Sequence, residues 1–120
     1  MKNELLIINQ DLDGAGCYTA YSWFHKDAPE VFFVTQKKAE SMIKGFFDRH
    51  SLPDFKRITV LGLDVSGFED FLDCKNVVII TAHKKMVELK YKFKLATTLT
   101  KIDGSSTRLA FNIFKKLYPD

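Results

Sequence analysis

The sequence predicts an α/β fold: a mainly parallel sheet of about five strands with helices on both faces. Short continuous apolar runs recur along the chain at Leu5–Ile8, Val31–Val34, Ile58–Leu63 and Val77–Ile80, as strands covered on both faces require. Segments with helical spacing of apolar residues lie between them. Strands alternating with helices are the pattern of a parallel sheet joined by crossovers. At 120 residues, 46% of them hydrophobic, residues 1–120 are expected to form one domain.

The first strand, Leu5–Ile8, stops at "NQDLDGAG". Residues 14–24 then read as a helix with Ala15, Tyr18, Tyr21, Ala20 and Phe24 inward. Val31–Val34 reads as a second buried strand. Ala39, Met42, Ile43, Phe46 and Phe47 share one face of a helix over 37–49. Ser51-Leu52-Pro53-Asp54 is a loop. The third strand ends at Asp64, and Ser66 is placed to cap a short helix. The fourth ends at Thr81. Residues 84–88 suit a helical turn, and Tyr91, Phe93 and Leu95 alternate with Lys90, Lys92 and Lys94 as in a half-exposed strand with the apolar side chains inward. Asp103-Gly104-Ser105-Ser106 opens a last helix with Leu109, Ile113, Phe114 and Leu117 on one face, closed by Pro119.

No stretch approaches the ~20 apolar residues of a membrane-spanning helix. The start, Met1-Lys2-Asn3-Glu4 before four apolar residues, does not resemble a secretory signal. Cys17 and Cys74 have neither metal-type nor redox-type spacing. They read as buried free thiols, and a reducing, cytoplasmic setting is expected. The net charge of +3 is too mild to indicate a nucleic-acid partner by itself. Its distribution is more informative. Lys84, Lys85, Lys90, Lys92 and Lys94 either guide a phosphate backbone or form a solvated face that protects a sheet edge. Lys84 and Lys85 are the better phosphate ligands because they adjoin a strand end. His25 and His50 suit surface or helix-end roles.

In parallel sheets, ligands bind beyond the carboxyl ends of the strands. Asp11 and Asp13 follow the first strand, Asp64 the third, and Thr81 and His83 the fourth. Three carboxylates on one rim repel unless a cation or proton intervenes. Oxygen ligands favour Mg²⁺ or Mn²⁺, which binds phosphate oxygens and activates water. The competing role for Asp11 or Asp13 is to cap the first helix, with Gly14 easing the turn.

"NQDLDGAG", "VLGLDVS", "VVIITAHKK" and "DGSSTRLAF", in that order, resemble the motifs of the DHH phosphoesterase superfamily. That family includes single-strand exonucleases, oligonucleotide and cyclic-dinucleotide phosphodiesterases, and inorganic pyrophosphatases. Asp11, Asp13 and Gly14 match its His-x-Asp-x-Asp-Gly motif, with Asn9 where the family has histidine. Asp64 matches the aspartate that ends a strand. Thr81-Ala82-His83 stands where the family has Asp-His-His. The resemblance implies that Asp11, Asp13 and Asp64, with Asn9 as a further neutral ligand, hold one Mn²⁺ or Mg²⁺. It implies catalytic roles for Asp13, Asp64 and His83, and phosphate binding by His83, Lys84, Lys85, Ser105 and Ser106. The alternative for His83 is a solvent-facing residue after a strand.

Asn9 and Ala82 replace two metal-ligating histidines, the further aspartate after the Ser-rich helix has no counterpart, and the family's second domain is absent. The implied function is therefore a phosphodiesterase with a partly eroded metal site. It would act on nucleotides, oligonucleotides or single-stranded nucleic acid weakly or not at all, or would use a partner chain to supply missing ligands. One alternative is a non-catalytic phosphate- or nucleic-acid-binding subunit. Another is a receiver-like signalling domain phosphorylated at Asp64, with Thr81 as its switch; "LDVSGFED" lacks the Met-Pro usual after that aspartate. Haloacid-dehalogenase-like phosphatases share the early Asp-x-Asp-Gly, but Ala15 replaces their threonine and they leave Asp64 without a role.

Overall fold

A computed structural model describes residues 2–24, 30–48, 52–82, 86, 89, 92–100 and 106–117. Five strands, β1 (Lys2–Asn9), β2 (Glu30–Val34), β3 (Phe55–Leu61), β4 (Val77–Thr81) and β5 (Thr97–Thr100), form one sheet in the order β2-β1-β3-β4-β5. Every pairing is parallel. The helices whose bounds lie among the described residues are α1 (Leu12–Phe24), α2 (Ala39–Phe47), the single turn α3 (Glu69–Leu72) and α4 (Ser106–Leu117). The predicted fold class is the observed one. None of the described helices is long and apolar enough to cross a membrane.

Side chains alternate across each strand, so every central strand feeds two cores. Leu6 and Ile8 of β1 join Cys17, Tyr21, Leu61, Ile80, Ala110 and Phe114 under α1 and α4. Leu5 and Ile7 join Ala39, Ile43, Ile58, Val60, Leu72 and Met86 under α2 and α3. Each fully buried Leu or Ile contributes about 1.5–3 kcal/mol of transfer free energy. This double covering makes Leu5–Ile8 of β1 and Val77–Ile80 of β4 read as unbroken apolar runs, while Thr59 interrupts the run of β3.

The edges depart from the sequence reading. β2 pairs with β1 alone among the described strands, and of its apolar residues only Val34 is fully buried, while Phe33 is 44% exposed. On α1 the buried face runs through Cys17 and Tyr21, whereas Ala15 and Tyr18 point outward. The expected strand through Phe93 and Leu95 is instead a turn, and Leu95 is exposed. Asp73 is the cause. Its carboxylate accepts the backbone N–H groups of Lys94, Leu95 and Ala96 at 2.8–3.1 Å, donors that a ladder would need. The strand forms just afterwards, in Thr97–Thr100, where β-branched residues suit extended backbone.

The Ala96 N–H chiefly holds the Asp73 carboxyl below its usual pKa; partial burial opposes this, and the Lys94 and Leu95 N–H groups and the Lys94 charge add to it. Cys74 is half-buried and free; burial, then the adjacent Asp73 charge, pushes its thiol up.

Candidate functional site

The strand order reverses between β1 and β3. β2 lies to one side of β1, and β3, β4 and β5 follow on the other. Connections leave such a point in opposite directions and open a crevice beyond the strand ends. Asn9 ends β1, Asp11 and Asp13 follow it in the chain, and Asp64 follows β3.

On the β1 side, the Gln10 N–H still bonds to the Val34 carbonyl at 2.7 Å, so the chain leaves the sheet only at Asp11. Asp11 immediately precedes α1, and its carbonyl accepts the Ala15 N–H at 2.9 Å. It thus stands at the cap position, as the competing sequence reading expected, while its side chain faces Asn9. Asp13 lies in the first turn of α1, and its side chain is outside the described residues.

On the β3 side, Gly62 has φ 74°, a conformation that costs a residue with Cβ roughly 1–2 kcal/mol. The turn ends β3 before Leu63, two residues earlier than the apolar run suggested. Leu63 and Val65 are fully buried, and Asp64 between them is half-buried.

Asn9 joins the two sides. It is only 6% exposed, and its Nδ2 donates to Asp11 Oδ2 at 3.0 Å and to the Gly62 carbonyl at 3.2 Å. Both partners accept, so the amide orientation is fixed by chemistry. The Asp11 carboxylate and the β3 turn therefore each lie one hydrogen bond from a single NH₂ group. Asn9, read from the sequence as a neutral metal ligand, also bridges the switch point, and this bridge occupies its nitrogen.

Ser66 and Gln36 hold Asp64, and Met86 holds the residue after it. Its Oδ1 accepts the Ser66 N–H at 2.9 Å and also the Ser66 hydroxyl. Ser66 was expected to cap the short helix. Instead α3 begins at Glu69, whose carboxylate accepts the Gly67 N–H at 2.7 Å and orders the helix entry. Gln36, just beyond β2, reaches the Asp64 backbone: its Nε2 donates to the Asp64 carbonyl at 2.7 Å, and its Oε1 accepts the Asp64 N–H at 2.8 Å. The Val65 N–H donates to the Met86 sulfur at 3.4 Å. Gln36 and Met86 were missed because no local pattern signals a contact made 28 or 21 residues away. Gly62 carried a signal, a glycine inside a strand-like run.

At the β4 end, Thr81 is buried, and the Ala82 N–H donates to the Ser106 hydroxyl at 2.8 Å. Ser106 is 1% exposed, so this bond pins the start of α4 to the end of β4. His83, Lys84, Lys85 and Ser105 lie outside the described residues, as do Tyr91, His25 and His50.

The side chains described at the ends of β1 and β3 are carboxylate and amide groups, an oxygen chemistry suited to hard divalent cations. Among the described residues, no three of His, Cys, Asp and Glu are grouped to hold a metal ion. Asp13 and His83, which would enlarge the predicted group, have no described side chains. No family model, curated protein or solved structure matches this chain.

Proposed function

We propose that the crevice between the carboxyl ends of β1 and β3 binds one Mn²⁺ or Mg²⁺ together with a phosphate-bearing ligand, a nucleotide or short single-stranded oligonucleotide, in the manner of the DHH phosphoesterases the sequence resembles. The observation that carries this reading is the Asn9 bridge. It holds the Asp11 carboxylate against the turn that leads to Asp64, at the point of the sheet where ligands bind. The cation would screen the carboxylates, bind phosphate oxygens and lower the pKa of a bound water. Asp11, Asp13 and Asp64 would be its ligands, Gln36 and Ser66 would hold Asp64 in place, and His83, Lys84 and Lys85 would face the phosphate.

Turnover is expected to be weak. Asn9 spends its amide nitrogen on Asp11 Oδ2, and Ala82 offers no side-chain ligand. The same observation supports the second reading, a subunit that binds without hydrolysis. The test is Mn²⁺-dependent hydrolysis of short oligonucleotides by the native chain and by the double substitution Asn9→His with Ala82→His. Slow hydrolysis that rises in the double variant supports an eroded phosphodiesterase. Binding without hydrolysis in either supports the binding subunit. Because receiver domains share this strand order, labelling with a small phosphodonor is the companion assay: a stable acyl-phosphate on Asp64 would replace both readings.

A further inference from the structure

The two outer strands of the sheet are built differently. β5 is the polar run Thr97-Thr98-Leu99-Thr100. β2 is Glu30-Val31-Phe32-Phe33-Val34, with no lysine or proline to discourage further pairing. Among the described residues, nothing pairs with its outer edge. Two of the four large apolar side chains exposed on the described surface gather there: Phe33 is 44% exposed and Tyr18 37% exposed, their rings edge to face at 6.2 Å. Register puts Val31 beside Leu6 and Phe33 beside Ile8. Phe33 and Val31 therefore share the α1 face of the strand, with Phe33 the more exposed.

We propose that β2 pairs antiparallel with β2 of a second copy of this chain, about a two-fold axis at Phe32, to make one continuous sheet of two subunits. An open strand edge presents a row of N–H and C=O groups that another extended backbone satisfies. Charge selects a second copy in antiparallel orientation. Exposed Glu30 opens the strand, and exposed Lys37 and Lys38 lie just past its end. Parallel pairing would set glutamate against glutamate and lysines against lysines. The antiparallel two-fold sets each Glu30 opposite Val34 of the other chain, at the end that runs on toward Lys37 and Lys38, so glutamate is not set against glutamate. Centring on Phe32 sets each Phe33 opposite Val31 of the second copy and covers the ring that β1 and α1 leave in solvent. A five-residue strand makes a small contact, so the pairing is a reversible, concentration-dependent equilibrium.

Sedimentation velocity on the full chain across a micromolar concentration series tests this, with circular dichroism to verify folding. The native chain is expected to shift from monomer to dimer. Phe33→Lys, at a side chain 44% exposed, should raise the dissociation constant about tenfold, as loss of an apolar anchor does. Glu30→Lys should raise it about threefold, and adding Lys37→Glu and Lys38→Glu to Glu30→Lys should bring it back. A native chain that stays monomeric throughout overturns the proposal and leaves the edge to a strand of a different protein. A dimer indifferent to both Phe33→Lys and Glu30→Lys overturns it as well, and failure of the compensating variant overturns the antiparallel orientation.

Discussion

At the amino end of the sheet, Glu4 Oε1 accepts the Tyr21 hydroxyl at 2.6 Å, Arg57 Nε at 3.0 Å and Arg57 Nη2 at 2.9 Å. At the carboxyl end, the donors described at Asp11 and Asp64 are an amide, a hydroxyl and a backbone N–H. At the first end a carboxylate of β1 meets Arg57 of β3; at the second, Asp11 follows β1 and Asp64 follows β3. At the first, a guanidinium supplies the balancing charge, and the network ties β1, β3 and α1 together. At the second, the donors described are neutral groups that orient the two carboxylates. A carboxylate that already has its cation serves as structure; the proposed function gives Asp11 and Asp64 a cation from solution instead.

Substitutions at the two ends should separate these roles. The largest loss of stability is expected from Gly62→Ala, which puts a Cβ on a backbone at φ 74°. Denaturant melts should show a loss of about 1–3 kcal/mol, with weaker Mn²⁺ binding as the Asn9 bridge shifts. Next is Arg57→Ala, which leaves Glu4 partly buried with the Tyr21 hydroxyl and without the guanidinium. A stability loss of about 1–2 kcal/mol with unchanged Mn²⁺ affinity would show that the amino end is structural.

Asp73→Asn should cost about 1 kcal/mol or less, because the carboxylate is largely solvent-screened. Its pH signature is the sharper readout. The folded-state pKa of Asp73 is depressed, so its stabilisation is present above the unfolded-state pKa and is lost as pH falls through the lower folded value. The native chain should therefore lose stability relative to the variant on the acid side of the usual carboxylate range. A constant difference at all pH values would show that the bonds to residues 94–96 do not depend on charge. Asp64→Asn should change stability least, by about 0.5 kcal/mol or less, because an amide oxygen can still accept from Ser66.

The doubly covered strands were legible in the sequence because burial on both faces leaves nothing but apolar residues, as in Leu5–Ile8 and Val77–Ile80. Edges were not. Val31–Val34 has the same composition as an interior strand, yet Phe33 faces solvent, since composition does not say whether a strand has one neighbour or two. The alternation of Tyr91, Phe93 and Leu95 pointed to a strand, but Asp73, some twenty residues earlier, takes the N–H groups that strand would use. At the rim, the positions of Asp11 and Asp64 followed from strand ends alone. The bridge by Asn9 and the brace by Gln36 did not, because each joins residues that only the sheet order brings together.

Calorimetric titration of Mn²⁺ into the native chain, Asp64→Asn and Arg57→Ala tests the central claim most directly. One site in the native chain, weakened at least about tenfold by Asp64→Asn and unaltered by Arg57→Ala, is the predicted result for a carboxylate that holds a cation. Absence of binding to the native chain, or equal binding to the native chain and Asp64→Asn, would contradict it.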